Sequence, residues 1–260
     1  RTACAAGVEF VMVATFDFGV YEEGFRIARS PEAVSDLIAA AAHDLGFEQF
    51  MIGHHVDPAA PPRHTFQLSN YHPDWVEQAI LKRHFEVDPV HIAVMRTATG
   101  LQWSEVPRLL RLSPRQSRIL ERAQGYGLCA GYTVPFNVPG EPRGSCSFGT
   151  RSPERLRRNA LPIAASIGGY AFEAMRRLVQ PAESGPAPPP ALSQREHIAL
   201  VRVAQGKTDI EIGMMEKIAP STAHERVENV RRAYGGAQRP YLVARALYDG
   251  QISFREIFES

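Results

Sequence analysis

The sequence of 260 residues predicts an α+β protein with two domains. In the larger domain, helix-spaced apolar residues alternate with short β-like runs, which favours an antiparallel sheet covered by helices. The smaller domain shows helical patterns throughout. A proline-rich segment between them, residues 180–191, has the composition of a linker. We therefore predict domains at 1–179 and 192–260.

Three helices of the larger domain are predicted from Ser-Pro pairs. Ser30, Ser113 and Ser152 each precede a proline. Serine can accept a hydrogen bond from a free N–H at the helix start, and proline at the first helical position loses no hydrogen bond. Apolar residues at helical spacing follow each pair, and the last helix is expected to run from Ser152 toward Leu178.

The strands of the larger domain are predicted from runs rich in β-branched and aromatic residues, bounded by Gly and Pro. They cover residues 47–56, 64–69, 131–138 and 144–150. Several of these runs are close enough in sequence to form hairpins, so the sheet is expected to be antiparallel.

The smaller domain is predicted to contain four helices. Two begin with capping-box patterns, Ser193 with Glu196 and Thr208 with Glu211. A third is expected over 220–234 and a fourth over 240–248. Two short helices joined by a tight turn, with a helix on either side, form a helix-turn-helix arrangement.

Composition limits the classes of function. Lys and Arg number 29 and Asp and Glu 28, which excludes a polybasic protein that holds nucleic acid by charge alone. Residues 191–260 contain ten basic and nine acidic side chains. Three cysteines without metal-like spacing favour a reducing compartment, and we expect a cytoplasmic protein. No apolar run approaches the roughly 20 residues that span a bilayer, so no membrane partner is expected.

The C-terminal helices resemble the LuxR-type helix-turn-helix. The matching residues are Glu196, Leu200, Gly206, Glu211, Ile212, Ile218, Thr222 and Asn229. The resemblance implies that the third helix enters the major groove of double-stranded DNA, and that the fourth contributes to a homodimer. The candidates to reach bases are Ser221, His224, Glu225 and Glu228. The candidates to contact phosphates are Lys207, Thr222, Arg226, Arg231 and Arg232.

Several positions depart from the LuxR pattern in this domain. Ala219 stands where a Ser-type helix cap is usual. Glu225 and Glu228 place negative charge near the groove, where phosphate contacts by cations normally increase affinity. We therefore expect DNA binding either to be weak or to depend strongly on dimerisation.

Two segments of the larger domain are similar to the autoinducer-binding domain of quorum-sensing LuxR regulators. The first includes Asn70-Tyr71-His72-Pro73-Asp74-Trp75 and continues through Asp88 to Trp103, and the second joins 127–135 to 144–148. The resemblance implies an α-β-α sandwich with a central antiparallel sheet. It also implies a transcriptional regulator that senses an N-acyl-homoserine lactone in quorum sensing. The implied ligand-binding positions are Tyr71, Trp75, Ala79, Asp88, Trp103 and Ser147.

The chemistry of these positions suits an acyl lactone. The indole N–H of Trp75 is a donor only and suits the lactone carbonyl. The carboxylate of Asp88 suits the amide N–H, although Asp88 before a proline is also a good helix cap. Tyr71 and Ser147 can donate to the amide carbonyl. Trp103 is expected to form pocket wall or core.

Ala79 departs from the family pattern, which usually has an aromatic residue one helical turn after Trp75. The smaller side chain opens volume beside the ligand. The hypothesis is that this receptor takes a longer, branched or aromatic acyl group, or a different ligand.

Other functions are weighed against this interpretation. No GxSxG motif or phosphate loop is present, so catalytic residues and cofactors are not expected, and a hydrolase-like domain is a remote alternative. His84, Asp88 and His91 have metal-like spacing, but Pro89 interrupts the helix that would align them, and no metal site is expected. A LuxR-type regulator that senses a non-lactone metabolite, or that represses without ligand, stays open.

Overall fold

The structure, a computed structural model, describes residues 16–180 and 188–259. The chain forms two compact units, residues 1–183 and 184–260. The division lies within the predicted linker, of which residues 181–187 are outside the described part.

The first unit contains seven helices and five strands among its described residues. The helices are α1 Phe18–Ile27, α2 Pro31–Asp44, α3 Pro73–Leu81, α4 Pro89–Val94, α5 Val106–Leu109, α6 Pro114–Gln124 and α7 Leu161–Val179. The strands are β1 Gln49–His54, β2 Gln67–Ser69, β3 Leu101–Gln102, β4 Ala130–Phe136 and β5 Gly144–Thr150. They form one sheet in the order β2-β1-β5-β4-β3, and every pair is antiparallel. The predicted antiparallel sheet is confirmed.

Two of the predicted Ser-Pro helix starts are confirmed. The hydroxyl of Ser30 accepts a hydrogen bond from the Ala33 N–H, and Ser113 forms a capping box with Gln116. The prediction for Ser152 is wrong. Pro153–Arg155 forms a single 3-10 turn, and α7 begins only at Leu161, because Pro162 supplies the first-turn proline there.

The two faces of the sheet have different roles because side chains alternate along each strand. Phe50, Ile52, Val134, Cys146 and Phe148 point to one face and pack with residues of α1, α2 and α7 in the main apolar core. The intervening residues point to the opposite face. That face is covered by α3, α4 and α6 and contains the cavity described below.

The second unit has five described helices, α8 Gln194–Ala204, α9 Asp209–Glu216, α10 Pro220–Ala233, α11 Arg239–Tyr248 and α12 Phe254–Phe258. The capping boxes at Ser193 and Thr208 are confirmed. The predicted count of four helices is wrong, since α12 is an additional helix. A further capping box, Ser253 with Glu256, begins it.

Candidate functional site

All six predicted ligand-binding residues line one cavity on the second face of the sheet. Its volume is about 110 Å³. Trp75 and Ala79 come from α3, Asp88 from the start of α4, and Ser147 from β5. An adjoining groove of about 570 Å³ shares several lining residues with it: Met51, Gln67, Tyr71, Val76 and Ile80. The cavity therefore has a groove along α3 and β2 beside it.

Trp75 is buried at the wall of the cavity. Only 7% of its surface is exposed, and its ring lies against Tyr126 and His84 with centroid distances of 5.5 and 5.7 Å. Within the described part of the chain its indole N–H has no hydrogen-bond partner, whereas a buried indole N–H usually has one. This donor is therefore available to a ligand.

Asp88 has two separable roles. One carboxylate oxygen, Oδ1, accepts hydrogen bonds from the N–H groups of Val90 at 2.8 Å and His91 at 3.3 Å, which makes Asp88 the N-cap of α4. The other oxygen, Oδ2, has no hydrogen-bond partner among the described residues. The same side chain can therefore cap the helix and accept a hydrogen bond from a ligand in the cavity.

Trp103 is held in the cavity wall by a buried chain of hydroxyl groups. Its indole N–H donates to Thr133 Oγ1 at 2.8 Å, and Thr133 Oγ1 lies 2.9 Å from Ser147 Oγ. Thr133 and Ser147 are paired residues of β4 and β5, so the sheet register places the two hydroxyls together. Because the Trp103 donor is already used, this residue contributes surface to the site and no donor.

Tyr71 is next to this chain. Burial raises the pKa of its phenol well above the usual 10, the negative charge of Asp88 adds to the effect, and the Ser147 hydroxyl opposes it. The phenol is therefore protonated at neutral pH and can donate a hydrogen bond. Tyr71, Ser147 and Asp88 thus present both donors and an acceptor to one cavity.

Glycine is required where the Trp103 ring lies on the sheet. A Cβ at Gly131 would be 2.6 Å from the Trp103 ring and 2.4 Å from the Phe148 carbonyl oxygen. At Gly149 a Cβ would be 2.7 Å from Leu128. The absence of a side chain at Gly131 therefore permits the close approach of the Trp103 ring.

Three histidines near the cavity were not predicted as part of the site. His84 and His91 line it, and each has a buried ring Nδ1 without a hydrogen-bond partner. His55 stacks on His91 with a centroid distance of 4.1 Å, and its Nε2 is 2.7 Å from Ser145 Oγ. Burial lowers the pKa of His55 from 6.5 to about 2, and the nearby His91, His54 and Arg143 act in the same direction. His55 is therefore neutral at physiological pH.

In the second unit, α9 and α10 are joined by a turn over residues 217–219. The buried side of α10 carries Ala223, Val227 and Val230, and the residues predicted to approach DNA lie on its other sides. Those with exposed side chains are Ser221, His224, Glu225 and Arg232, and those partly exposed are Thr222, Arg226, Glu228 and Arg231. Lys207 precedes α9 and is partly exposed.

Some of these side chains already have partners. His224 Nδ1 is 2.8 Å from Asp209 Oδ2, and Arg232 donates to the Asn229 side chain. Arg231 pairs with Glu228 at 2.6 Å and donates to the Ala237 carbonyl oxygen at 2.8 Å. The pairing offsets the charge of Glu228. Arg231 also stabilises the turn after α10.

Within residues 16–180 and 188–259, no group of three or more His, Cys, Asp or Glu side chains converges to hold a metal ion. No helix in these ranges is both long and apolar enough to cross a membrane.

Comparison with known proteins identifies the domain that contains the cavity. Residues 30–175 match the model of the autoinducer binding domain family. This range includes all six candidate ligand-binding residues.

The chain is also similar over most of its length to curated transcriptional regulators. It is 24% identical to the transcriptional activator protein BjaR1 of Bradyrhizobium diazoefficiens, over 86% of this chain and 91% of that protein. It is 29% identical to the quorum sensing-dependent transcriptional regulator RpaR of Rhodopseudomonas palustris, over 69% and 72%. The quorum-sensing regulator RhlR of Pseudomonas aeruginosa is 23% identical over 90% and 98%.

Solved structures show the same fold. The crystal structure of Escherichia coli SdiA matches with a TM-score of 0.54 and 22% identity, over 91% of this chain and all of that chain. SdiA in complex with octanoyl-rac-glycerol matches with a TM-score of 0.53 and 22% identity, over 90% and 96%. The family match and the relatives are those of regulators, not enzymes. The chain therefore belongs to the autoinducer-binding, LuxR-type family of quorum-sensing transcriptional regulators.

Proposed function

We propose that this protein senses an N-acyl-homoserine lactone and binds DNA as a homodimer in the cytoplasm. The observation that carries the ligand proposal is the convergence in one largely apolar cavity of polar groups, two of which, on Trp75 and Asp88, have no partner among the described residues. The Trp75 N–H, the Asp88 Oδ2 atom and the Tyr71 hydroxyl all face a space lined otherwise by side chains such as Val76 and Ile119. Small-molecule sites typically combine an apolar lining with a few placed polar groups.

Each polar group is assigned to one part of the signal. The Trp75 N–H donates to the lactone carbonyl, and Asp88 Oδ2 accepts from the amide N–H. Tyr71 and Ser147 donate to the amide carbonyl. Trp103 supplies the wall, and Ala79 leaves room beside the ligand.

The substitution Asp88→Asn tests the ligand assignment without removing the helix cap. Asparagine is as good an N-cap as aspartate, so the free energy of unfolding without ligand should change little. Because the amide oxygen of the variant keeps the cap, its NH2 donor replaces the acceptor Oδ2, and a hydrogen bond to a charged group contributes about 1.5–3 kcal/mol. We therefore expect octanoyl-homoserine lactone to bind about 10- to 100-fold more weakly.

The measurement is isothermal titration of the full chain with that lactone, and thermal unfolding with and without it. Asp36→Asn, at an exposed position of α2, is the matched control and should bind as the unchanged protein does. Equal affinity of Asp88→Asn and Asp36→Asn would contradict the assignment. Stabilisation by a non-lactone metabolite, with none by lactones, would favour the alternative of a different signal.

The second part of this proposal concerns the acyl group. Ala79 lines the cavity on α3, beside the groove that continues along that helix. We expect longer or branched acyl lactones to raise the melting temperature more than short ones, and Ala79→Tyr to reduce that preference. If only short-chain lactones stabilise the protein, and Ala79→Tyr does not impair them, the enlarged-pocket idea is wrong.

For DNA, α9 and α10 are proposed to form the helix-turn-helix, with α10 as the recognition helix. Ser221, Glu225, Glu228 and Arg232 follow one another at i, i+4, i+7 and i+11, away from the buried face of α10. Ser221, His224, Glu225 and Glu228 are assigned to the base edges, and Lys207, Thr222, Arg226 and Arg232 to phosphates. We assign Arg231 to support of Glu228 and of the following turn.

Selection from a random duplex library with the full chain and octanoyl-homoserine lactone tests both DNA binding and dimerisation. A homodimer should select a palindrome whose half-sites are about one helical turn apart, or a multiple of it. Arg226→Ala should weaken binding to all sequences and lower the salt dependence. A selected site without two-fold symmetry would contradict the homodimer.

A further inference from the structure

The cavity wall over residues 84–91 contains hydrogen-bonding groups that the assignments above do not use. His84 and His91 each have a buried, unpartnered Nδ1. Native proteins leave few such atoms, and each one calls for an explanation, such as a ligand that supplies the partner. The ring of His84 lies against Trp75, on the side assigned to the lactone. His91 lies one helical turn beyond Asp88 and lines the same cavity.

His91 stands where the cavity meets a smaller one. This second cavity of about 20 Å³ is lined by polar side chains, among them His54, His55, Gln67, His91 and Ser145. Met51, Gln67 and His91 belong to both cavities. At His91 the largely apolar cavity therefore adjoins a smaller cavity with a polar lining.

The ring of His91 is held in place by stacking on a neighbouring ring. His55 stacks on it nearly parallel, with 19° between the ring planes, and His55 is in turn tied to Ser145 at 2.7 Å. An imidazole ring has two nitrogens that can form hydrogen bonds, and neither nitrogen of His91 has a partner among the described residues.

We infer that His91, supported by the His55–Ser145 pair, is a polar subsite for an oxygen atom on the acyl group of the signal. This inference rests on the proposed acyl-lactone function. The ligand class is an N-acyl-homoserine lactone whose acyl group carries a hydroxyl or keto oxygen. An unsubstituted alkyl chain of the same length would leave the imidazole without a partner.

The experiment compares ligands of one chain length on the full-length protein by isothermal titration. The three ligands are octanoyl-, 3-hydroxyoctanoyl- and 8-hydroxyoctanoyl-homoserine lactone. The first has no hydroxyl on its acyl chain, the second has one near the amide, and the third has one at the chain end. We expect one hydroxylated lactone to bind about tenfold more tightly than the octanoyl lactone, the factor that one hydrogen bond typically supplies.

His91→Phe keeps a flat ring that can stack on His55 but removes both nitrogens. In this variant the hydroxyl preference should fall to less than about twofold, with octanoyl lactone still bound. His91→Gln, which can donate and accept, should recover part of the preference. His43→Phe, at an exposed position outside the cavity, is the matched control and should keep the full preference.

The outcomes separate this inference from the proposed function. If octanoyl lactone binds the unchanged protein as tightly as both hydroxylated lactones, the subsite is contradicted and the lactone function stands. If His91→Phe binds octanoyl lactone but keeps the preference, another residue recognises the oxygen and the inference is wrong. If none of the three lactones binds the unchanged protein, both the function and the subsite are contradicted. If His91→Phe does not fold, the comparison on the unchanged protein can still contradict the subsite, and His91→Ala then tests the assignment to His91.

Discussion

Replacing Thr133 by valine removes the hydroxyl that connects Trp103 to Ser147. Thr133 is fully buried in β4, and valine has nearly the same shape. The change therefore leaves the packing in place and deletes a polar atom. Two interactions are lost, the 2.8 Å hydrogen bond from the Trp103 N–H and the 2.9 Å contact with Ser147.

The expected loss follows from the donor that is left behind. An unsatisfied buried N–H costs about 1–3 kcal/mol, whereas Ser147 can turn toward the Tyr71 phenol. We expect Thr133→Val to lower the free energy of unfolding of the first unit by about 2 kcal/mol. Thr133→Ser keeps the hydroxyl and loses one buried methyl, for which the expected loss is about 1 kcal/mol.

Urea unfolding followed by tryptophan fluorescence is the assay. The chain has two tryptophans, Trp75 and Trp103, and both lie in the first unit, so the signal reports on that unit. Trp103→Phe provides the second background because phenylalanine has no N–H to leave unpaired. Trp75 remains as the reporter.

The decisive quantity is the coupling between the two positions. Thr133→Val should cost about 1 kcal/mol less in the Trp103→Phe background than in the unchanged protein. Equal costs in both backgrounds would show that the N–H of Trp103 does not depend on Thr133, and the reasoning would be refuted.

Three further predictions concern caps, backbone and pH. Ala219 is the N-cap of α10 without a side-chain hydrogen bond, so Ala219→Ser should stabilise the second unit by about 1 kcal/mol, measured by circular dichroism in urea. Lys217 has a φ of 55°, a left-handed conformation that glycine adopts more easily, so Lys217→Gly should stabilise the same unit by about 0.5–1 kcal/mol in that assay. Folding lowers the pKa of His55 from 6.5 to about 2. As the pH falls below 6.5, His55 is therefore protonated in the unfolded chain but not in the folded one, which favours unfolding. The first unit should lose about 2 kcal/mol between pH 6.5 and 5 through this group, and His55→Gln should show a smaller loss in urea titrations at the two pH values.

Much of the local structure could be predicted because its causes lie within a few residues. Capping boxes such as Ser193 with Glu196 join positions three apart, and the structure shows their reciprocal hydrogen bonds. The helix start predicted at Ser152 is wrong because a second proline competes with the Ser-Pro pair. A Ser-Pro pair permits a helix start, but Pro162 lies inside the proposed helix and favours a later one.

The candidate site was predicted in part. Trp75 and Asp88 were found through their resemblance to a family, and the structure places both at one cavity. His55 and His91 were not predicted as part of the site, since they are distant in sequence and no short-range pattern links them. Only the stacking of their rings across the fold shows that they form a pair.

The six candidate side chains were proposed as one binding set through a family resemblance. By itself, the sequence determined the helix starts with local caps and the antiparallel sheet. These features depend on hydrogen bonds between near neighbours and on the alternation of apolar residues along a strand. Only the tertiary structure decided which polar groups are free. The register of β4 and β5 pairs Thr133 with Ser147 and so occupies the Trp103 donor, while the donor of Trp75 remains unused. Whether a buried polar group is available depends on partners that only folding brings within hydrogen-bond distance.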